Sequence, residues 1–213
     1  MQPELKKMRL FIWDFDGTLM DTYPVTFAAY LRLALADFGY SVPDADMMEQ
    51  MLVNVGHAVQ HYADLYDLPQ LWERYNFHQS KGAIAMPETL PQVKEVLQRV
   101  HQLGGIHCIY THRDGTTYPM LEYGGLTQAF AEIVTSGHAH FTVKPDPGAV
   151  QYLMEKYGVA PEETVMIGDR ECDLETGHNA GCHTLHLLTP AVPQYPPCDW
   201  RIERYDQMLD MLK

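Results

Sequence analysis

Short apolar runs alternate along this chain with longer stretches in which apolar residues recur every three or four positions. The runs predict strands at Leu10–Trp13, Ile106–Tyr110, Glu132–Thr135, Thr164–Ile167 and His183–Leu187. Between them, "ETLPQVKEVLQRVHQLG" and "PGAVQYLMEKYG" carry helical spacing and each stops at a glycine, a common helix end. "DWRI" and "RYDQMLDML" predict a last short strand and a closing helix. Strands alternating with helices predict the α/β class, with a Rossmann-like, mainly parallel sheet.

A different pattern occupies residues 20–82. "TYPVTFAAYLRLALADFG", "DADMMEQMLVNVG", "HAVQHYADLYD" and "PQLWERYNFHQS" all have helical spacing, and no strand interrupts them. The expected organisation is therefore a core domain at 1–19 and 83–213, with an all-helical domain at 20–82 inserted after the first strand. The proline-rich "TPAVPQYPPC" reads as a loop, and no internal repeat is present.

Composition narrows the possible functions. A 213-residue chain that is 46% hydrophobic can bury one sizeable core and a smaller appendage. A net charge of -13 excludes a uniformly basic nucleic-acid face but leaves room for a local anion pocket. No apolar run approaches the roughly 18 residues of a membrane span. The first residues, "MQPELKKMRLFIW", lack a signal-peptide core, and a cytosolic location is expected. Cys108, Cys172, Cys182 and Cys198 have no CxxC spacing and read as reduced thiols rather than zinc ligands or disulfides.

The acidic residues carry the chemistry. In "FIWDFDGTLMD", Asp14 and Asp16 leave the end of a strand on the same side, because side chains alternate with period two, and Gly17 permits a sharp turn. Like charges at about 4 Å repel by roughly 4 kcal/mol at an intermediate dielectric, so something must offset the pair. A second acidic pair, Asp169 and Asp173 in "VMIGDRECD", has helical spacing at a predicted helix start. Its plain alternative is capping by Asp169 and a solvated Asp173. Thr111 in "CIYTHR" ends a strand, and Lys144 in "FTVKPDPG" lies just before a helix. All four features sit where ligands bind in open parallel sheets. Clustered carboxylates demand a cation, and oxygen ligands favour Mg²⁺ shared with a phosphate. A hydroxyl and an ammonium complete a set suited to phosphoryl transfer.

In order and spacing, "DFDGTLMD", "YTHR", "KPDPGAVQYLMEK" and "VMIGDRECDLETGHNAGC" resemble the motifs of the haloacid dehalogenase-like (HAD) hydrolase superfamily, close to its phosphoglycolate-phosphatase-like branch. The inserted helices resemble that family's cap. The resemblance implies a Mg²⁺-dependent phosphatase acting on a small phosphorylated metabolite, with Asp14 forming an aspartyl-phosphate. Asp16 would be the general acid and then base. Asp14, the Asp16 carbonyl and Asp169 would hold Mg²⁺, with Asp173 supporting the metal's outer shell or a bound water. Thr111 and Lys144 would hold the phosphate, assisted by backbone amides around Phe15–Gly17 and of His112. The family's second motif usually has asparagine after its Thr or Ser, whereas His112 and Arg113 follow Thr111 here.

Other reactions on this fold fit less well. Dehalogenases of the family lack the second aspartate, Asp16 in this chain. Phosphonate hydrolysis needs a cap lysine, and Lys81 lies at the edge of the insert. Sugar phosphomutases carry a histidine where this chain has Thr26. A non-catalytic phosphate- or partner-binding protein would usually have lost one of these groups. His138, His140, His183 and His186 have metal-like spacings but no further ligands nearby in sequence. Met47, Met48, Met51 and Tyr62 read as core of the helical domain. Its polar candidates for substrate contact are Asn54, His57, His61, Arg74 and His78.

Overall fold

Every residue of strand β1 (Leu10–Trp13) is buried, because the strand lies inside a parallel sheet covered on both faces. The computed structural model describes residues 3–82, 85–138, 141–188 and 197–213. The remaining strands are β2 (Ile106–Tyr110), β3 (Glu132–Val134), β4 (Thr164–Gly168), β5 (His183–Leu187) and β6 (Trp200–Ile202). They run parallel in the order β3-β2-β1-β4-β5-β6. The chain winds outward from β1 in one direction and from β4 in the other. The switch point, where such sheets open a crevice at their C-terminal edge, therefore lies between β1 and β4.

The helices are α1 (Ala28–Ala36), α2 (Asp44–Val53), α3 (Val55–Tyr66), α4 (Leu71–Ser80), α5 (Val93–Gln102), α6 (Thr117–Tyr123), α7 (Gly148–Tyr157), α8 (Glu171–Ala180) and α9 (Tyr205–Met211). Helix α6 was not predicted. Pro119 lies in its first turn, where the missing N–H is not required. The chain divides into two compact units: the described residues of 1–20, 89–188 and 194–213 form one, and those of 21–88 form the other. The contact boundary thus falls at Glu88 rather than at the expected residue 82. Most of the proline-rich stretch, residues 189–196, lies outside the described residues. No helix among the described residues is long and apolar enough to cross a membrane.

In the first unit, strand alternation sorts the core into two layers. Phe11, Trp13, Ile109, Val165 and Ile167 face Val93, Val96, Leu97 and Val100 of α5 and Tyr205 and Met208 of α9. Leu10, Ile12, Cys108, Tyr110 and Met166 face Ala149, Val150, Leu153 and Met154 of α7. The i, i+3, i+4, i+7 spacing along α5 is what places those four residues on one stripe. Each such side chain contributes roughly 1.5–3 kcal/mol by leaving water.

The second unit is built from α1 to α4 around Leu31, Leu35, Met47, Met51, Tyr62, Leu71 and Tyr75, with Met48 packed against it, so the expected core residues are core. Its polar candidates for substrate contact are largely occupied internally. Asn54 caps α3 by accepting the His57 N–H at 2.7 Å, and His57 pairs with Gln50. Arg74 and His78 of α4 both hold Asp37, and His61 sits edge-on to the Tyr62 ring.

One polar side chain crosses the apolar layer of the first unit. His107 of β2 accepts the Trp13 indole N–H at Nδ1, 3.0 Å away, so its own hydrogen lies on Nε2 and is donated to the Leu97 carbonyl at 3.0 Å. Burial pushes its pKa from 6.5 down to about 4, and the fold therefore favours the neutral ring. That contribution, about 3 kcal/mol, is complete above the unfolded pKa and disappears as pH falls towards the folded one. His107→Leu should lower stability at pH 7.5 by about 2–3 kcal/mol, because the Trp13 N–H loses its acceptor. Denaturant titrations at pH 7.5 and pH 5 should show a smaller loss on acidification in the variant than in the natural chain.

Candidate active site

Asp14 directly follows β1, Thr111 follows β2, Asp169 follows β4, and Lys144 lies in the loop that leads from β3 to α7. All four are buried, as are Asp16 and Asp173. After Asp14 the chain reverses at Gly17, whose φ of 75° is the left-handed conformation anticipated from its lack of a side chain. The Gly17 N–H donates to the Met20 carbonyl at 2.9 Å. This corrects one expectation: the turn itself uses the Gly17 amide, so it is not spare for a phosphate.

Lys144 is the centre of the cluster. Its fully buried ammonium donates to Asp14 Oδ1 at 2.5 Å and to Asp173 Oδ1 at 2.6 Å. Burial opposes the lysine's charge, but Asp14 and Asp173 outweigh it and hold its pKa above the usual range. Burial would also raise the pKa of Asp173, yet Lys144 and Arg170 hold it below the ordinary value. Asp14 goes the other way, up to about 6, because burial and the charge of Asp173 exceed the effect of Lys144. Lys144 is thus held inside the cluster rather than solvated at the surface.

Asp173 is not solvated either. It is the third residue of α8, and its Oδ2 accepts the Arg170 N–H at 3.1 Å in a capping box, so Asp173 rather than Asp169 caps this helix. It reaches that place because Gly168 has no side chain. A Cβ on Gly168 would lie 2.3 Å from the Asp173 Cβ.

Acceptor atoms of Asp14, Asp169 and Asp173 lie within 4.8 Å of one another, the one such group among the described residues. Asp14 Oδ2 is buried with no hydrogen-bond partner. Three carboxylates against the single Lys144 ammonium, with an orphaned oxygen among them, form a donor set that fits a hard divalent cation. Both Asp173 oxygens are already engaged, which suits an outer-shell position for it. Two other residues brace the Asp169 loop. Thr18 Oγ1 lies 3.4 Å from Asp169 Oδ1, and His186 Nε2 lies 3.1 Å from the Asp169 carbonyl.

Residues 111–113 join three parts of the site. Thr111 Oγ1 accepts the Arg113 N–H at 3.1 Å and keeps its own hydrogen for another acceptor. The His112 side chain accepts the Lys144 backbone N–H at Nε2, 2.8 Å away. Burial, with Lys144 and Arg170 nearby, pushes the His112 pKa down to about 4, so the ring is the neutral acceptor this bond requires. The His112 ring thereby fixes the loop that carries Lys144. Arg113 folds back onto Asp16. The sequence offered no signal for either contact, since nothing in "THR" says where its side chains turn.

The remaining candidates lie elsewhere. His138 accepts the Thr135 N–H, His183 pairs with Asp199, and His140 is outside the described residues. Thr26 donates to the Thr22 carbonyl within its own helical turn, and the Lys81 ammonium sits 4.6 Å from the centre of the Phe77 ring.

Comparison with known proteins agrees with this arrangement. The family model described as haloacid dehalogenase-like hydrolase matches residues 11–187. A phosphoglycolate phosphatase of Aliivibrio fischeri is 29% identical over 192 residues, covering 84% of each chain. One from Haemophilus influenzae is 26% identical and covers 97% of this chain and 99% of its own. A hydrolase structure from Streptococcus pneumoniae superposes with a TM-score of 0.71 at 29% identity, covering 96% of this chain and 99% of that one.

Two substitutions probe the cluster. Lys144→Met should cost about 3–5 kcal/mol at pH 8, because it strands buried carboxylates. Without the ammonium the pKa values of both Asp14 and Asp173 would rise, so the deficit should shrink as pH falls and the acids protonate. Denaturation midpoints at pH 8 and pH 5 measure both effects. Gly168→Ala should displace Asp173 and lower stability by roughly 2–4 kcal/mol, read from the same titration.

Proposed function

The chain belongs to the haloacid dehalogenase-like hydrolase family, and on that premise we propose that it is a Mg²⁺-dependent phosphatase of small phosphorylated metabolites. The observation that carries this reading is the orphaned Asp14 Oδ2 inside a buried three-carboxylate cluster in which Lys144 bridges Asp14 and Asp173. Phosphoglycolate is the first substrate to try, since the relatives from Aliivibrio fischeri and Haemophilus influenzae are named for it.

In this reading, Asp14, the Asp16 carbonyl and Asp169 would hold Mg²⁺, with Asp173 bound through water. Mg²⁺ supplies charge that neutralises the carboxylates and draws electron density from the phosphoryl oxygens. Lys144, the Thr111 hydroxyl and the backbone amides of Phe15 and His112 bind the phosphate. Asp14 attacks phosphorus, so that a carboxylate O–P bond forms while the ester P–O bond breaks, and Asp16 gives its proton to the departing alkoxide. Asp16, now ionised, takes a proton from water as the water oxygen bonds to phosphorus and the Asp14–phosphorus bond breaks. The net change is ester plus water to alcohol plus phosphate. The Lys144 bridge keeps Asp14 from rotating, so little reorganisation remains when phosphate arrives. We assign the helical unit the part of the family's cap.

Phosphate release from a panel that includes 2-phosphoglycolate, sugar phosphates and nucleotides should require Mg²⁺ and stop with chelator. Asp14→Asn should reduce it by at least roughly 10³-fold. Transfer of phosphate between hydroxyls of one sugar, without release, would assign a mutase instead. No turnover by folded, Mg²⁺-supplied protein would favour a binding role.

A further inference from the structure

The Arg113 guanidinium is buried against Asp16, and the two are paired unevenly. Arg113 Nε lies 3.0 Å from Asp16 Oδ1 and 3.2 Å from Oδ2, while Nη2 lies 2.5 Å from Oδ1. Oδ1 thus takes two short contacts. Among the described residues, Oδ2 has only the longer one. Arg113 is itself held from several sides, including a contact of its Nη1 with Thr116 Oγ1 at 3.4 Å. Its N–H donates to Thr111 Oγ1 at 3.1 Å, its carbonyl accepts the Ser136 N–H at 2.9 Å, and its guanidinium carbon sits 5.8 Å from the centre of the Phe15 ring. The side chains of Arg113 and Asp16 are only 6% and 9% exposed. Burying an ion pair gains little stability over an apolar pair of similar size, so stability alone is a weak reason for it to be here.

We propose that Arg113 is a positioning residue for the Asp16 carboxylate: it pins Oδ1 and leaves Oδ2 as the oxygen that exchanges the proton with the leaving group. This rests on the phosphatase reading above. A planar fork sets both the distance and the plane of the carboxylate, which a lysine ammonium cannot do. Because the same residue is tied to the Thr111 hydroxyl, the acid is aligned to the strand end that binds phosphate.

The test uses the leaving group. An alkoxide needs a proton to depart, whereas p-nitrophenolate leaves as a stabilised anion. For Arg113→Gln, kcat/KM should fall roughly 100-fold on an alkyl ester (2-phosphoglycolate, or β-glycerophosphate if that is the faster substrate). On p-nitrophenyl phosphate it should fall less than about 5-fold. Placed on Asp16→Asn, the same change should cost the alkyl ester less than about 3-fold more, because both act through one proton. Arg113→Lys, which keeps the charge and is measured in the same way should Arg113→Gln not fold, should recover only part of the alkyl-ester loss. Equal losses on both esters, or additive losses with Asp16→Asn, would make Arg113 a structural residue and overturn the proposal. If the natural chain, folded and with Mg²⁺, releases phosphate from neither ester, the phosphatase reading fails and this inference with it.

Discussion

The structure of the site depends on one buried ammonium. Asp14, Asp169 and Asp173 crowd three carboxylates into a space where each pair repels by roughly 3–4 kcal/mol at an effective dielectric near 20. Lys144 touches two of them and is itself removed from water. Such an arrangement is poor as a stabilising device, since desolvation consumes most of what the pairing returns. Its value is geometric. It holds the Asp14 carboxylate in place and leaves one of its oxygens without a hydrogen bond, a donor that suits a divalent cation.

The surrounding fold serves that ammonium. Lys144 is reached by a loop rather than a strand, so its position needs external support, and the His112 ring supplies it by binding the backbone N–H of the same residue. Asp173 comes close enough only because Gly168 offers no side chain in its path. The capping box then fixes the Asp173 carboxylate from the helix side. The core beneath is indifferent to this chemistry: two apolar layers pack against the sheet, and within one of them His107 ties β1 and β2 to α5.

Much of this was legible from residue order. Apolar runs marked the strands because a doubly covered parallel sheet leaves no solvent face to blur them, and the acidic pairs marked the site because carboxylates rarely follow such strands without a purpose. What stayed hidden was side-chain direction. Whether Asp173 was solvated or buried turned on the space above Gly168, a tertiary fact. Helix α6 was masked by Pro119, which usually signals a break but is harmless in a first turn. The contacts of His112 and Arg113 depend on how two loops from distant parts of the chain meet, and local pattern carries no information about that.

The strand order has a consequence for how the molecule is made. β1 is central, and its residues Leu10–Trp13 pair with residues 106–109 on one side and 164–167 on the other. A ribosome delivers that strand well before residues 106–109, and longer still before residues 164–167. Through that interval an apolar edge stands open, at the stage when nascent proteins are most prone to associate with one another. The helical unit, whose described core residues run from Phe27 to Tyr75, can close meanwhile. The inserted segment therefore separates β1 in time from both of the strands that come to flank it.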